Sequence, residues 1–212
     1  GLLITGDLST GLKLKKDLEF VLELWSRPLY FIHGNHDIHF TTFKEVDLIK
    51  KETVYEYCNF VSLDDGNICK LNENTCLIGE SGWFDARWQK PLTHLIFSPE
   101  WWLINDFRII NNHDCLQLAR DISSESSEKI GKSIKESIRR GFKEIHLATH
   151  FPPWSQGLPN FKGIDAVYKK LWIPYCTSRA IADTIAHIMS DNKDINLIVH
   201  SGHTHWPTQT QI

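Results

Sequence analysis

The sequence predicts an α/β fold, and three observations carry the prediction. Four short, mostly apolar runs, at residues 2–5, 29–32, 145–149 and 195–199, are bounded by polar or turn-forming residues, as strands buried in a sheet are. Segments of helical period lie between them. Each run leads into residues able to bind ligands or move protons, which is where open α/β sheets place their sites.

The first run, Leu2 to Thr5, stops at Gly6-Asp7 and delivers a carboxylate to a loop. Leu14, Leu18, Val21, Leu22 and Trp25 recur at three- and four-residue intervals, which predicts a helix closed by Pro28. Leu29 to Ile32 is the second strand; it ends at His33-Gly34-Asn35-His36-Asp37 and completes a βαβ unit. Thr42 and Glu45 have the spacing of a capping box for a helix through Phe43, Val46, Leu48 and Ile49. Residues 55–62, 67–71 and 75–78 are β-rich and separated by Asp64-Asp65-Gly66 and Asn72-Glu73-Asn74, which predicts hairpins. Residues 80–113, with Trp83, Trp88, Trp101 and Trp102, lose the pattern and read as an irregular Trp-rich insert overhanging the site. A long helix is expected from about residue 114 to residue 140, with Ile122, Ile130, Ile134 and Ile138 on one face and a break at 123–128. Residues 145–149 form a third buried strand ending at His150, and Pro152-Pro153 stops any helix there. A loop with Gly157, Pro159 and Gly163 follows, then a helix over 178–189. The last strand, 195–199, leads to Ser201-Gly202-His203-Thr204-His205.

A single domain over residues 1–212 fits this length, since one core can still grow at that size. No run is long enough to span a bilayer, and a net charge of −3 lacks the basic excess that drives binding to a nucleic-acid backbone. Membrane is excluded as a partner on this reading, and nucleic acid is disfavoured. Cys58, Cys69, Cys76, Cys115 and Cys176 form no CxxC pair and sit mostly in apolar stretches, so buried reduced thiols and a cytoplasmic setting are expected.

Four strand ends thus carry Asp7, Asn35 with His36, His150, and His203 with His205. A carboxylate, an amide oxygen and imidazoles make a borderline ligand set that suits manganese, iron or zinc and is poorly matched to calcium. Any one of these histidines alone has a bland explanation as a hydrogen-bonded loop residue. With about one chance in twenty per residue and position, a given tetrapeptide arises by accident in roughly one such chain in a thousand. Here Gly34-Asn35-His36-Asp37 and Gly202-His203-Thr204-His205 both occur, in order and after strands.

Together with Gly6-Asp7 and His150, these motifs resemble those of the calcineurin-like metallophosphoesterases, and the resemblance runs along nearly the whole chain. It implies a four-layer αββα sandwich with two mixed β-sheets, the metallo-dependent phosphatase-like fold. It also implies a metal-dependent phosphoesterase that hydrolyses a phosphate monoester or diester by attack of a metal-bridging hydroxide. By the resemblance two divalent ions are held, manganese first, with iron or zinc as alternatives. Asp7 bridges them, Asn35, His150 and His203 bind the second and His205 the first; His36, with Asn35, completes the catalytic set as proton donor to the leaving group. The chemistry is coherent, because two cations about 4 Å apart clamp an anionic ester and histidine titrates near the working pH. The expected substrate is a phosphorylated small molecule or a nucleotide. A nuclease of the same superfamily and a non-catalytic binding module of the same fold are the alternatives; the ligand-type residues argue against the latter, since a scaffold needs none of them.

Two departures bear on this expectation. The family carries an Asp-x-His motif on a strand before Gly6-Asp7, and Asp37-Ile38-His39 has that spacing but the wrong order. The domain is therefore expected to be incomplete at its N-terminus, and at its C-terminus beyond His205. Thr10 stands where some members place a carboxylate that orients the motif histidine, and Gly6-Asp7-Leu8-Ser9-Thr10 lacks the acidic and arginine residues of the phosphoprotein phosphatase branch.

His33, Arg87 and Trp83 are candidate substrate contacts. His33 and His39 either touch phosphate or lie exposed on their loop, and His200 either donates to a ligand or packs in its strand. Arg87, with Trp88, Trp83 and Phe84, suits an anionic aromatic group; the competing reading makes these aromatics a small core that holds the insert. His94, His113, His146 and His187 are read as structural, and residues 129–140 as a solvated basic helix face.

Overall fold

A computed structural model describes residues 1–88, 98–158, 173–205, 209 and 211. Two sheets form. In the first, β1 (Leu2–Thr5), β2 (Leu29–Ile32) and β3 (Phe60–Ser62) pair in that order and all in parallel. In the second, β4 (Cys69–Lys70), β5 (Thr75–Gly79), β6 (Glu144–Thr149) and β7 (Asn196–Ser201) pair in sequence, β4 antiparallel and the rest parallel. Among the described residues only the second sheet is therefore mixed, where both were expected to be.

Strand periodicity sorts the side chains into the three interfaces that four layers require. Leu29 and Phe31 of β2 face α1 (Leu14–Leu24) and α2 (Phe43–Glu56), meeting Leu14, Leu18, Leu22 and Val46 in one core. Tyr30 and Ile32, on the opposite face, meet Leu77 and Ala148 of the second sheet in a smaller core between the sheets. Cys76, Ile78, Ile145 and Leu147 point the other way, onto Ile130 and Ile134 of α5 (Asn112–Arg139) and Ile181 and Ile185 of α6 (Arg179–Ser190). The capping box of α2 is present: Thr42 Oγ1 accepts the Glu45 N–H at 3.1 Å and Glu45 returns the bond to the Thr42 N–H at 2.9 Å.

Several expectations are corrected. Residues 55 and 56 end α2 rather than open a strand, because the buried face of Val46, Lys50 and Thr53 continues the helical spacing and overrides local β propensity. Asp64-Asp65-Gly66 makes no hairpin, since β3 pairs in parallel with β2; Asn72-Glu73-Asn74 does make one, joining β4 to β5. Helix α5 runs unbroken through 123–128. Three serines of that stretch are buried and satisfied: Ser123 bonds Ser178 at 2.7 Å, Ser127 bonds Thr184 at 2.7 Å, and Ser126 bonds Glu80 at 3.2 Å. Small hydroxyls let the two outer helices approach closely while their polar atoms find partners across the interface. The basic face at 129–140 is only partly solvated, since Ser137 is buried and the Lys129 ammonium lies 3.9 Å from Glu80.

The insert does not overhang as a whole. Trp83, Phe84 and Trp101 are buried in the first core with Phe107, and two short helices, α3 (Glu100–Leu103) and α4 (Asn105–Arg108), form there; Trp102 lies on the surface. Residues 89–97, which include His94, and the expected loop at Pro159 and Gly163 lie outside the described residues. All five cysteines are free; Cys76, Cys115 and Cys176 are buried, whereas Cys58 is exposed and Cys69 intermediate. Among the described residues no helix is long and apolar enough to cross a membrane.

Glu80, at the carboxyl end of β5, is the strained group of this interior. Burial, with Asp64 nearby, raises its carboxyl from the ordinary 4.5 to about 8, and one of its oxygens is buried without a partner. The folded chain then holds a proton that the unfolded chain releases, so this residue's contribution to stability falls as pH rises between those values. Glu80→Gln is expected to raise the melting temperature at pH 8 by about 2–4 °C, with the gain shrinking as the pH falls toward 4.5. Thermal unfolding of both proteins across that range measures it.

Candidate metal centre

The site forms where the carboxyl ends of β1, β2, β6 and β7 meet, and its loops are held by one buried carboxylate. Asp37 Oδ2 accepts the N–H of Asp7 and of Gly34, each at 2.8 Å, and Oδ1 accepts the N–H of Ser9 at 2.8 Å. The loops after β1 and β2 are thereby locked together. Two glycines make the approach possible. At Gly6, with φ +87°, a Cβ would stand 2.5 Å from His150 Nδ1; at Gly34 it would stand 2.2 Å from Asp7 Oδ1. Asp7, His203 and His205 all adopt positive φ, at 59°, 63° and 54°, an uncommon backbone for such residues and one that clusters at functional sites.

Proton positions then decide what the site can hold. Buried His150 places Nδ1 2.7 Å from the Thr5 carbonyl, which only accepts, so Nδ1 carries the proton. Burial lowers the His150 pKa, which keeps the ring neutral and leaves a lone pair on Nε2. Asn35 is fixed from its other end: its Nδ2 donates to Glu100 Oε1 at 2.9 Å, and Glu100 in turn accepts from the Ser98 hydroxyl. The Asn35 Oδ1 atom therefore faces His150 Nε2 at 2.9 Å, an acceptor against an acceptor. Asp7 Oδ1 lies 3.4 Å from the same nitrogen. His203 Nδ1 stands 3.0 Å from Asn35 Oδ1 and 3.3 Å from His150 Nε2, and burial followed by the neighbouring His150 pushes its pKa down to about 3. A neutral His203 supplies at most one proton at Nδ1, too few for this set.

Lone pairs in this arrangement repel unless a cation lies among them. Asp7, His150 and His203 each offer a ligand atom, all within 4.8 Å of one another, and Asn35 adds a fourth. One carboxylate, one amide oxygen and two imidazoles fit a borderline divalent ion such as manganese, iron or zinc. The other oxygen of Asp7 turns outward, with His205 Nε2 at 3.5 Å; His205 is exposed. Beside it stands His36, whose backbone N–H donates to Asp7 Oδ1 at 2.9 Å and whose ring lies 5.9 Å from that of His205 and 4.7 Å from that of His39.

The other candidates lie elsewhere. Trp83 is a core side chain, 1% exposed, stacked with Phe84 and Phe107, so it presents no face to a substrate, and the small-core reading holds for Trp83 and Phe84. Arg87 is tied to Asp85 at 3.3 Å and to Ser124 of α5 at 3.2 Å. His33 is neither exposed nor turned to the loop surface; it joins a cluster with Asp64, Lys50 and Ser81. His200 stacks on His146 of the neighbouring strand, with Nδ1 of His146 2.8 Å from its Nε2. Sequence reasoning assigns no role to Asp37 or Glu100. Asp37 is visible as the last residue of its motif, whereas Glu100 lies in the aperiodic insert, sixty-five positions from the amide it holds.

The model of the calcineurin-like phosphoesterase family matches residues 1–207. No curated protein and no solved structure matches the chain. For the loops, Asp37→Ala strands three backbone N–H donors at once and is expected to lower the unfolding free energy by about 3 kcal/mol or more. Urea denaturation measures this, and a loss under about 1 kcal/mol would show that the loops are held by other contacts.

Proposed function

The chain belongs to the calcineurin-like phosphoesterases, a family of metal-dependent phosphoesterases, and from that premise we propose that it hydrolyses a phosphate monoester or diester of a small molecule, with Asp7 shared between two divalent ions. The observation that carries the reading is the meeting of Asn35 Oδ1 and His150 Nε2 at 2.9 Å with no proton to join them. Asn35, His150 and His203 would hold one ion with Asp7 Oδ1, and His205 would serve the other through Asp7 Oδ2. When bound, such a pair supplies Lewis acidity toward the phosphoryl oxygens and makes a water acidic near neutral pH.

The chain's own residues supply the rest. Asp37 and Glu100 fix the ligand atoms before any ion arrives, which reduces the reorganisation that binding demands. His36, whose backbone N–H ties it to Asp7, would give a proton from its imidazole to the departing ester oxygen. A net charge of −3 favours a small phosphorylated or nucleotide-like substrate over a nucleic acid. Free thiols throughout fit a reducing, cytoplasmic setting.

The expected outcome is manganese-dependent hydrolysis of an aryl phosphate monoester or diester, abolished by chelation and restored by manganese. Asp7→Ala and Asn35→Ala should each reduce the rate by more than about 100-fold. Unchanged rates in both variants would reject the assignment, and faster cleavage of single-stranded DNA than of either small ester would replace it with a nuclease.

A further inference from the structure

Behind the Asn35–His150 contact lies a buried ionic cluster that none of the roles above uses. Lys50 of α2 is 2% exposed, with its Nζ 2.9 Å from Asp64 Oδ2 and 2.9 Å from Asp47 Oδ1. Asp64 follows β3, and its carboxylate takes bonds from both sheets. From the first sheet, Oδ2 accepts the backbone N–H of His33 at 3.4 Å and lies 3.0 Å from His33 Nδ1. From the second, Oδ1 accepts the Ser81 N–H at 2.7 Å and the Ser81 hydroxyl at 2.6 Å.

These contacts lead directly to the ligands. His33 stands two residues before Asn35, and the Ser81 carbonyl accepts the His150 N–H at 2.9 Å. One carboxylate thus anchors the Asn35 loop of the first sheet directly and, through Ser81, the His150 loop of the second, and these two residues meet at 2.9 Å. Burial opposes ionisation of Asp64, but Lys50 and His33 outweigh it and hold the carboxyl well below its usual value, so all of its acceptor positions stay available. Stability alone does not account for such a pair, since an apolar replacement of similar volume is often as stable or more so.

We propose that the Lys50–Asp64 pair is a positioning device that sets the separation of the Asn35 and His150 ligand atoms across the two sheets, and thereby the affinity of the site for a divalent ion. The inference rests on the metal-binding reading above. The test is manganese titration calorimetry on the full chain, with melting temperature read in parallel. Lys50→Met with Asp64→Asn removes both charges and leaves neither buried alone; it should keep the fold and weaken manganese binding about 10- to 100-fold. Ser81→Ala removes one bond to Asp64 and should weaken binding about 5-fold. The surface pair Lys143–Asp194 is the control: Lys143→Met with Asp194→Asn should leave binding unchanged. Binding within about twofold of the parent in the folded double variant overturns the proposal. Should that variant fail to fold, unchanged binding in Ser81→Ala overturns it instead. No binding by the parent chain would overturn the metal reading itself, and this inference with it, whereas binding by the parent and both variants alike sinks only the positioning role.

Discussion

The contact between the Asn35 amide oxygen and the His150 lone pair is unfavourable in isolation, and much of the surrounding structure serves to enforce it. Thr5 takes the only ring proton of His150, and Glu100 accepts an amide hydrogen of Asn35. Neither side chain can turn away without leaving a buried polar group unpaired, at a cost of about 1–3 kcal/mol. A divalent cation held as proposed would relieve the repulsion that these bonds impose. Such a site would owe its affinity to preorganisation of the protein, since its candidate ligands are ordered on folding and not on binding.

The layered architecture explains why residues so far apart in sequence arrive together. Within each sheet every strand except β4 runs the same way, and contacts such as Asn35–His150 bring the ends of β1, β2, β6 and β7, with their candidate ligands, to one edge of the sandwich. The three apolar cores hold the layers but do not fix register to a fraction of an ångström across the gap between sheets. Directional bonds do that: Asp37 joins the β1 and β2 loops, and Asp64 joins the first sheet to the second.

Much of this is legible in the residues. The parallel strands, α1, α2 with its capping box, and the ligand-bearing strand ends follow from apolar runs, three- and four-residue spacing and motif order, because each is a local pattern. What escapes is non-local. The serines of α5 look like helix breakers until α6 and Glu80 supply partners, and the tryptophans of the insert look surface-bound until they fill the first core. β3 looks like half of a hairpin because its pairing with β2 is decided by the whole sheet. At the site, the candidate ligands announce themselves while their supports do not. Glu100 and Asp64 act through bonds to residues distant in sequence, and no period or motif marks them. His33 shows the converse, a histidine flanking a motif that the fold turns inward to an ion cluster.

An anomalous diffraction map from crystals of the chain grown with manganese would locate the ion directly. A strong peak is expected about 2.2 Å from Asp7 Oδ1, Asn35 Oδ1, His150 Nε2 and a ring nitrogen of His203. A peak elsewhere, or none at that point under saturating manganese, would contradict it.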